Sequence, residues 1–462
     1  MHKKIQFFSL ILGIAAFSAG CGDDGGGTTE TTSTTSTTNT TATTNTPDQG
    51  GPDNGTDPEC PATGDVEVSG EISEDTTWSC PSYLLTEHIF VTGNSTLAIE
   101  PGVEIFGEND SALIVTRGSQ LDAVGTAAEP IVFTSGNSAG SRTTGDWSGV
   151  ALLGSAEINS GTLNAGVLEG RLEGLEATEA RAIYGGNDNA SSCGHLEYVR
   201  IEFAGAELSP GNELNGLTVA GCGSETQLSY IQVHLGSDDG IEFFGGTAGM
   251  DHVVVTGASD DSLDWDLGWT GDVQFLVTHQ FANLGDRAIE ADNLGSNEAA
   301  TPRSNPRIYN ATIIGGTATN GILLREGTRG TFRNFIIANV PGSPIDLAAT
   351  TNDLTTEWPT QLSFERTFFF NNGAVLETAD TNDNGFDESA ALMPAARNNV
   401  FGTDPMLGST STTAPNYVPA NTALNGQATP PAGFDTTATY AGAFAPNAAS
   451  PWTAGWTSFP AN

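Results

Sequence analysis

Along most of the chain apolar residues come in short β-rich runs divided by Gly, Asn, Asp and Ser, and no long stretch repeats with helical period. The runs STLAIEPGVEIFG (95–107), SALIVTRGSQLDAVG (111–125), PIVFTS (130–135) and DWSGVALLG (146–154) show the pattern. Strand-length runs bounded by turn residues predict an all-β domain. Between Cys193 and Thr350 the pattern becomes periodic. One set of strands is LEYVRIEFAG (196–205), LSYIQVHLGS (228–237), MDHVVVTGAS (250–259) and VQFLVTHQFA (273–282). A second set is centred on Leu217, Ile241, Leu263, Ile289, Ile322 and Ile345, which lie 24, 22, 26, 33 and 23 residues apart. A period in the low twenties with occasional insertions predicts a β-solenoid whose successive turns bury one strip of side chains each. Propeller blades need about 40 residues and leucine-rich repeats a fixed LxxLxLxxN frame, and neither fits.

The ends of the chain read differently. Basic His2, Lys3 and Lys4 precede an apolar stretch from Ile5 to Phe17, then Ser18, Ala19, Gly20 and Cys21. This is the layout of an export leader, expected over residues 1–20. SAGC resembles a bacterial lipobox, with Ser18 where Leu is usual, and the resemblance implies lipidation of Cys21; an ordinary secretory leader is the alternative. From Thr28 to Thr46 thirteen of nineteen residues are Thr. A segment with so little to bury does not offset its ordering entropy, so 21–65 is expected to be a disordered Thr-rich linker. The β-helix is expected over 66–350, with 351–462 holding the last coils and an irregular C-terminal cap.

Charge narrows the function. The chain has 56 acidic residues against 15 Lys and Arg, a formal net charge of −41, and both lysines lie in the leader. Such a field repels nucleic acid and draws cations. Apart from Cys21 the cysteines are Cys60, Cys80, Cys193 and Cys222, an even set for which disulfides are expected in an exported chain. Three pairings are possible, and Cys60–Cys80 with Cys193–Cys222 is the one that bridges neighbouring coils.

Strand alternation supplies the candidate site. If the anchors face inward, so do Val219, Phe243, Trp265, Ala291 and Leu324. Thr218, Glu242, Asp264, Glu290, Leu323 and Asp346 then form one outward column, and Asp266, Asp292 and Arg325 fall in a second. The turns before the strands add Asp238, Asp239, Asp260, Asp261, Asp286 and Arg287. Stacked coils lie about 4.8 Å apart. Like charges at that spacing repel by roughly 3 kcal/mol per pair at an effective dielectric of about 20. The column Glu242, Asp264, Glu290, flanked by Asp239, Asp261, Asp266 and Asp292, therefore points to bound cations, with Ca2+ the natural choice for carboxylate oxygens. The competing reading makes Asp239 and Asp261 turn formers that hydrogen-bond backbone, as Asn215 of the NG pair at 215–216 also does, and leaves the column a solvated face. A weaker calcium candidate is the DTNDNGFDE loop, through Asp380, Asn382, Asn384 and Asp387, although Ala391 replaces the Glu of an EF-hand. Trp269, Arg287 and Arg325 are candidate ligand-binding residues, with Trp269 expected to be exposed to a sugar ring.

The segments EPGVEI (100–105), GDWSGVALLG (145–154), YGGND (184–188), LEYVRIEFAG (196–205), SDDGIEFFGGT (237–247) and GDRAIEADN (285–293), with the ending YAGAFAPNAASPWTAGWTSF (440–459), resemble a family of secreted bacterial β-helix lipoproteins. The resemblance implies a pectin-lyase-like right-handed parallel β-helix at the outer-membrane cell surface, and implies no particular activity. The expectation is a non-catalytic surface lipoprotein that touches the membrane only through its lipid anchor and binds Ca2+, with glycans, extracellular polysaccharide or another surface protein as further partners. The alternative is a polysaccharide lyase or glycoside hydrolase of the same fold. SDDG (237–240) and SDDS (259–262) resemble paired catalytic aspartates, but the GHG and RIK segments of polygalacturonases are absent. His195, His234, His252 and His279 are expected to be structural more than catalytic.

Overall fold

A computed structural model describes residues 60–209, 212–282, 284–316, 321–348, 357–373, 383 and 385–462. The leader, Cys21, the Thr-rich tract, and Asp380, Asn382 and Asn384 lie outside the described residues.

The strands stack in parallel, coil upon coil, among the described residues as a seventeen-stranded and a ten-stranded sheet. The ten-stranded sheet runs in order through Glu71–Ile72, His88–Val91, Ala112–Val115, Gly149–Leu153, Leu217–Ala220, Ile241–Phe244, Leu263–Asp266, Ile289–Ala291, Ile322–Leu324 and Ile345–Leu347. The anchors inferred from spacing are in register: Leu217 pairs with Ile241, Ile241 with Leu263, Leu263 with Ile289, Ile289 with Ile322, and Ile322 with Ile345. All six are fully buried, as are Val219, Phe243, Trp265 and Ala291. This is a parallel β-helix, and its core is the strip of inward side chains that each coil stacks on the next.

The long sheet turns a corner within its central strands. Gly194–Glu202, Gln227–His234, Met250–Thr256, Asp272–His279 and Arg307–Ile314 each bend at one left-handed residue: Tyr198, Tyr230, His252, Phe275 and Asn310, with φ of 50–59°. Bulky side chains disfavour that conformation by about 1 kcal/mol or more. Here the rings stack in a ladder, Tyr198 on Tyr230 at 4.4 Å, Tyr230 on His252 at 4.3 Å and His252 on Phe275 at 4.6 Å. The repeated bend places one ring directly over another, and their contact offsets the strain.

Disulfides Cys60–Cys80 and Cys193–Cys222 tie coils together. Parallel pairing continues past residue 350 through Leu362–Glu365 and Phe368–Phe370 to Val400–Phe401. The chain then reverses through a hairpin (Leu407–Ser409 with Asn416–Pro419) and runs back over the outside of the long sheet as a strap. Asn334 holds the strap at Ala428, Asn310 at Tyr440, Gln232 at Ser458, and Gly140 at Asn462. Under it lie Val254, Val277 and Ile314, covered by Tyr417, Ala443, Phe444, Trp452 and Phe459.

A second excursion, residues 155–192, leaves the coil after Gly149–Leu153 and lies on the outer face of the ten-stranded sheet. Its Leu172, Ala182 and Tyr184 pack on Phe90, Ile114 and Leu153.

Candidate functional site

The outward columns are real. Glu242 pairs in register with Thr218 below and Asp264 above, Phe244 pairs with Asp266, and Glu290 pairs with Leu323. Because Leu263 pairs with Ile289, Asp264 and Glu290 are successive members of one column. The corner aspartates join them. Asp239, Glu242 and Asp264 each bring one carboxylate oxygen within 4.8 Å of the others, and so do Asp261, Asp264 and Glu290. Asp264 therefore belongs to both groups. Asp238, Asp239 and Asp260, and then Asp260, Asp261 and Asp286, repeat the arrangement at the corner.

Each of the two central corner aspartates does structural work. One oxygen of Asp239 accepts from the Asp261 amide at 2.9 Å, and one oxygen of Asp261 accepts from the Arg287 amide at 2.6 Å. The backbone role expected of turn aspartates and the membership of a carboxylate group thus coexist in the same side chains, since a carboxylate has two oxygens.

Asp239 and Asp261 are buried, and Glu242, Asp264 and Asp266 are only half-exposed. Burial, and then the neighbouring Asp264 carboxylate, hold Asp239, Glu242 and Asp266 well above the ordinary carboxyl range; for Asp261 burial is followed by Glu290. Both causes penalise the same ionised state. Among the described residues Asp239, Glu242 and Asp261 make no arginine ion pair. The far end of the ladder differs: Arg325 places Nε 2.9 Å from Asp292 and reaches Glu290 with Nη2.

Below Glu242 stands Asn215, two residues before its anchor as Asp239 is before Ile241. It is 1% exposed. Its Nδ2 donates to Glu242 Oε2 at 2.6 Å, while its Oδ1 is enclosed with no hydrogen-bond partner. Sequence reasoning took Asn215 only for a turn former. The signal that could have found it is this alignment with Asp239 and Asp261.

One expectation is corrected. Trp269 is not exposed: it is wholly buried, stacks on Phe243 at 4.2 Å and donates from Nε1 to Ala248 O at 2.8 Å. Left-handed Leu267 and Gly268 reverse the strand after Asp266 and swing Trp269 back into the core. Arg287 lies on Asp286 and Arg325 spans Glu290 and Asp292, so both guanidiniums are engaged by the chain's own carboxylates. Asp387, from the second calcium candidate, caps the helix Glu388–Leu392 by accepting from the Ala390 amide at 2.8 Å.

Two of the histidines, His234 and His279, are enclosed. His234 lies between Thr256 Oγ1 at 2.6 Å and Pro460 O at 2.8 Å, and His279 faces Tyr417 Oη at 3.1 Å. Burial lowers both rings to about 4, so they are neutral at pH 7.

Fold and site together define an acidic parallel β-helix. The family described as pectate-lyase like beta helix domain matches residues 70–457, and the chain belongs to it. No curated protein and no solved structure matches the chain.

Proposed function

We propose that the carboxylate ladder is a divalent-cation site, filled by calcium, and that the protein is a non-catalytic cation-binding β-helix carried at the cell surface by a lipid on Cys21. The observation that carries the cation reading is the set of Asp239, Glu242 and Asp264 oxygens within 4.8 Å of one another beside the enclosed Asn215 Oδ1. Calcium takes six to eight oxygens at about 2.3–2.6 Å, from carboxylates, amide carbonyls and water. This set supplies the protein's share of them. A bound dication also reverses the electrostatics, since the same burial that penalises clustered anions strengthens their attraction to it.

Titration of the metal-free protein with calcium, followed calorimetrically, tests the reading. Binding is expected in the wild type and should be largely lost in Asp264→Asn, because Asp264 serves both groups. Heat of dilution alone in the wild type would remove the proposal. A glycan role loses its main support with the burial of Trp269.

A further inference from the structure

The strap is a layer with bonds of its own. The Ala441 amide donates to Leu424 O at 2.9 Å and the Asn447 amide to Pro419 O at 2.8 Å, and the Phe444 and Trp452 rings stack at 4.9 Å. The solenoid grips this layer by its backbone. Gln232 donates to Ser458 O at 2.6 Å and accepts from the Ser458 amide at 2.9 Å. Gln274 holds Asp435 in the same two-handed way, and Asn334 holds Ala428. A side-chain amide has a donor and an acceptor to offer, and neither distinguishes which chain a peptide group belongs to. The crossing from solenoid to strap is short. The chain leaves its last parallel strand at Val400–Phe401 and turns at Gly402, with φ of 77°. By Asp404 it is already bonded within the strap, where Asn421 Nδ2 donates to Asp404 O at 2.7 Å.

We propose that two copies of the chain meet at the ends from which their straps leave and exchange them, so that each strap closes the neighbour's flank. Groove and occupant are the same pair of surfaces in either form, so every clamp and every apolar contact of the strap is kept on exchange. Val254, Val277 and Ile314 stay covered throughout. What differs is the crossing. In the single chain it folds back at Gly402, and in the exchanged pair it runs on to the neighbour. Charge selects the same end for the meeting. The chain as a whole carries −41, which holds copies apart. Residues 303–397, in the coils next to the crossing, hold seven Arg against ten Asp and Glu, a net of only −3.

The full chain is warmed at high concentration, cooled, diluted and followed by native mass spectrometry, all in EDTA so that no dication joins the copies. A species of twice the chain's mass is expected. It should outlast dilution, because undoing the exchange requires both straps to be lifted, so the population set while warm is frozen in on cooling. Gly402→Ala tests the crossing. A Cβ there meets nothing within 4 Å, so the substitution acts through φ alone. It makes the folded-back turn costly at both crossings of a pair, and the dimerisation constant should rise about thirty-fold. Gly426→Ala is the matched control: Gly426 has φ of 73° and equally open surroundings, but it lies within the strap and keeps its conformation on exchange. This variant should dimerise as the wild type does. Monomer alone in both the wild type and Gly402→Ala, a pair that separates at once on dilution, or a constant for Gly402→Ala no higher than that for Gly426→Ala overturns the exchange.

Discussion

Asp264→Asn should raise stability without calcium, and calcium should largely close the gap to the wild type. In the metal-free protein Asp264 lies within 4.8 Å of carboxylates from Asp239 and Glu242 on one side and Asp261 and Glu290 on the other. At an effective dielectric of about 20, one such pair repels by roughly 3 kcal/mol. Proton uptake limits how much of that is felt, so about 3 kcal/mol in all is a reasonable ceiling for the relief on neutralising Asp264. The folded unit Thr56–Asn462 has an unfolding entropy of roughly 0.85 kcal/mol/K, so this relief corresponds to a rise of up to about 3 °C. Calcium acts on the wild type in the same range: at a hundred-fold excess over Kd it contributes about 2.7 kcal/mol, again about 3 °C. Differential scanning calorimetry at pH 7.5, in EDTA and in calcium at matched ionic strength, measures both. Asp264→Asn should melt above the wild type in EDTA and gain less than about 1 °C from calcium. If the substitution lowers Tm in EDTA and calcium raises both proteins equally, the repulsion argument and the shared-ligand argument are both wrong.

Two further outcomes follow from groups outside the two carboxylate triads or at their edge. The His234 and His279 rings sit near 4 when folded against 6.5 when unfolded, so their stabilisation is complete above pH 6.5 and is lost as pH falls towards 4, by roughly 3 kcal/mol for each ring. Acid should therefore lift the strap at His234–Pro460 first, read as dye binding to the uncovered flank, and His234→Gln should shift that profile; an unchanged profile excludes His234 as its source. Arg325→Met takes the guanidinium from Glu290 and Asp292 and should cost about 3 kcal/mol by denaturant unfolding, part of it regained in calcium. Equal stability of this variant and wild type in EDTA would show that the ion pair is energetically neutral.

Most of the architecture is legible in the chain because a solenoid repeats one local decision. Leu217, Ile241, Leu263, Ile289, Ile322 and Ile345 are spaced by the length of a coil, and strand alternation then fixes which neighbours face out. This is why the Glu242–Asp264–Glu290 column is legible from spacing alone. Features that depend on a break in the repeat were hidden. Trp269 follows two left-handed residues, and alternation does not carry across them. The partners of Arg287 and Arg325 are matters of side-chain reach, not of period. The 155–192 excursion and the strap lack the coil repeat, so nothing local indicates which face of the solenoid either will cover. Asn215 was hidden for a different reason: its turn role and its reach to Glu242 are the same residue seen at two scales.

The strap has a consequence for the order in which the molecule is completed. It follows every coil in the sequence, yet it closes the flank of coils formed long before it, reaching from Asn334 back to Gly140. During synthesis the stacked turns can form one after another while Val254, Val277 and Ile314 still face water. A chain interrupted before Tyr440 would own nearly all of its parallel pairings and still display a greasy seam, and that is a feature by which quality-control proteases can tell unfinished copies from finished ones.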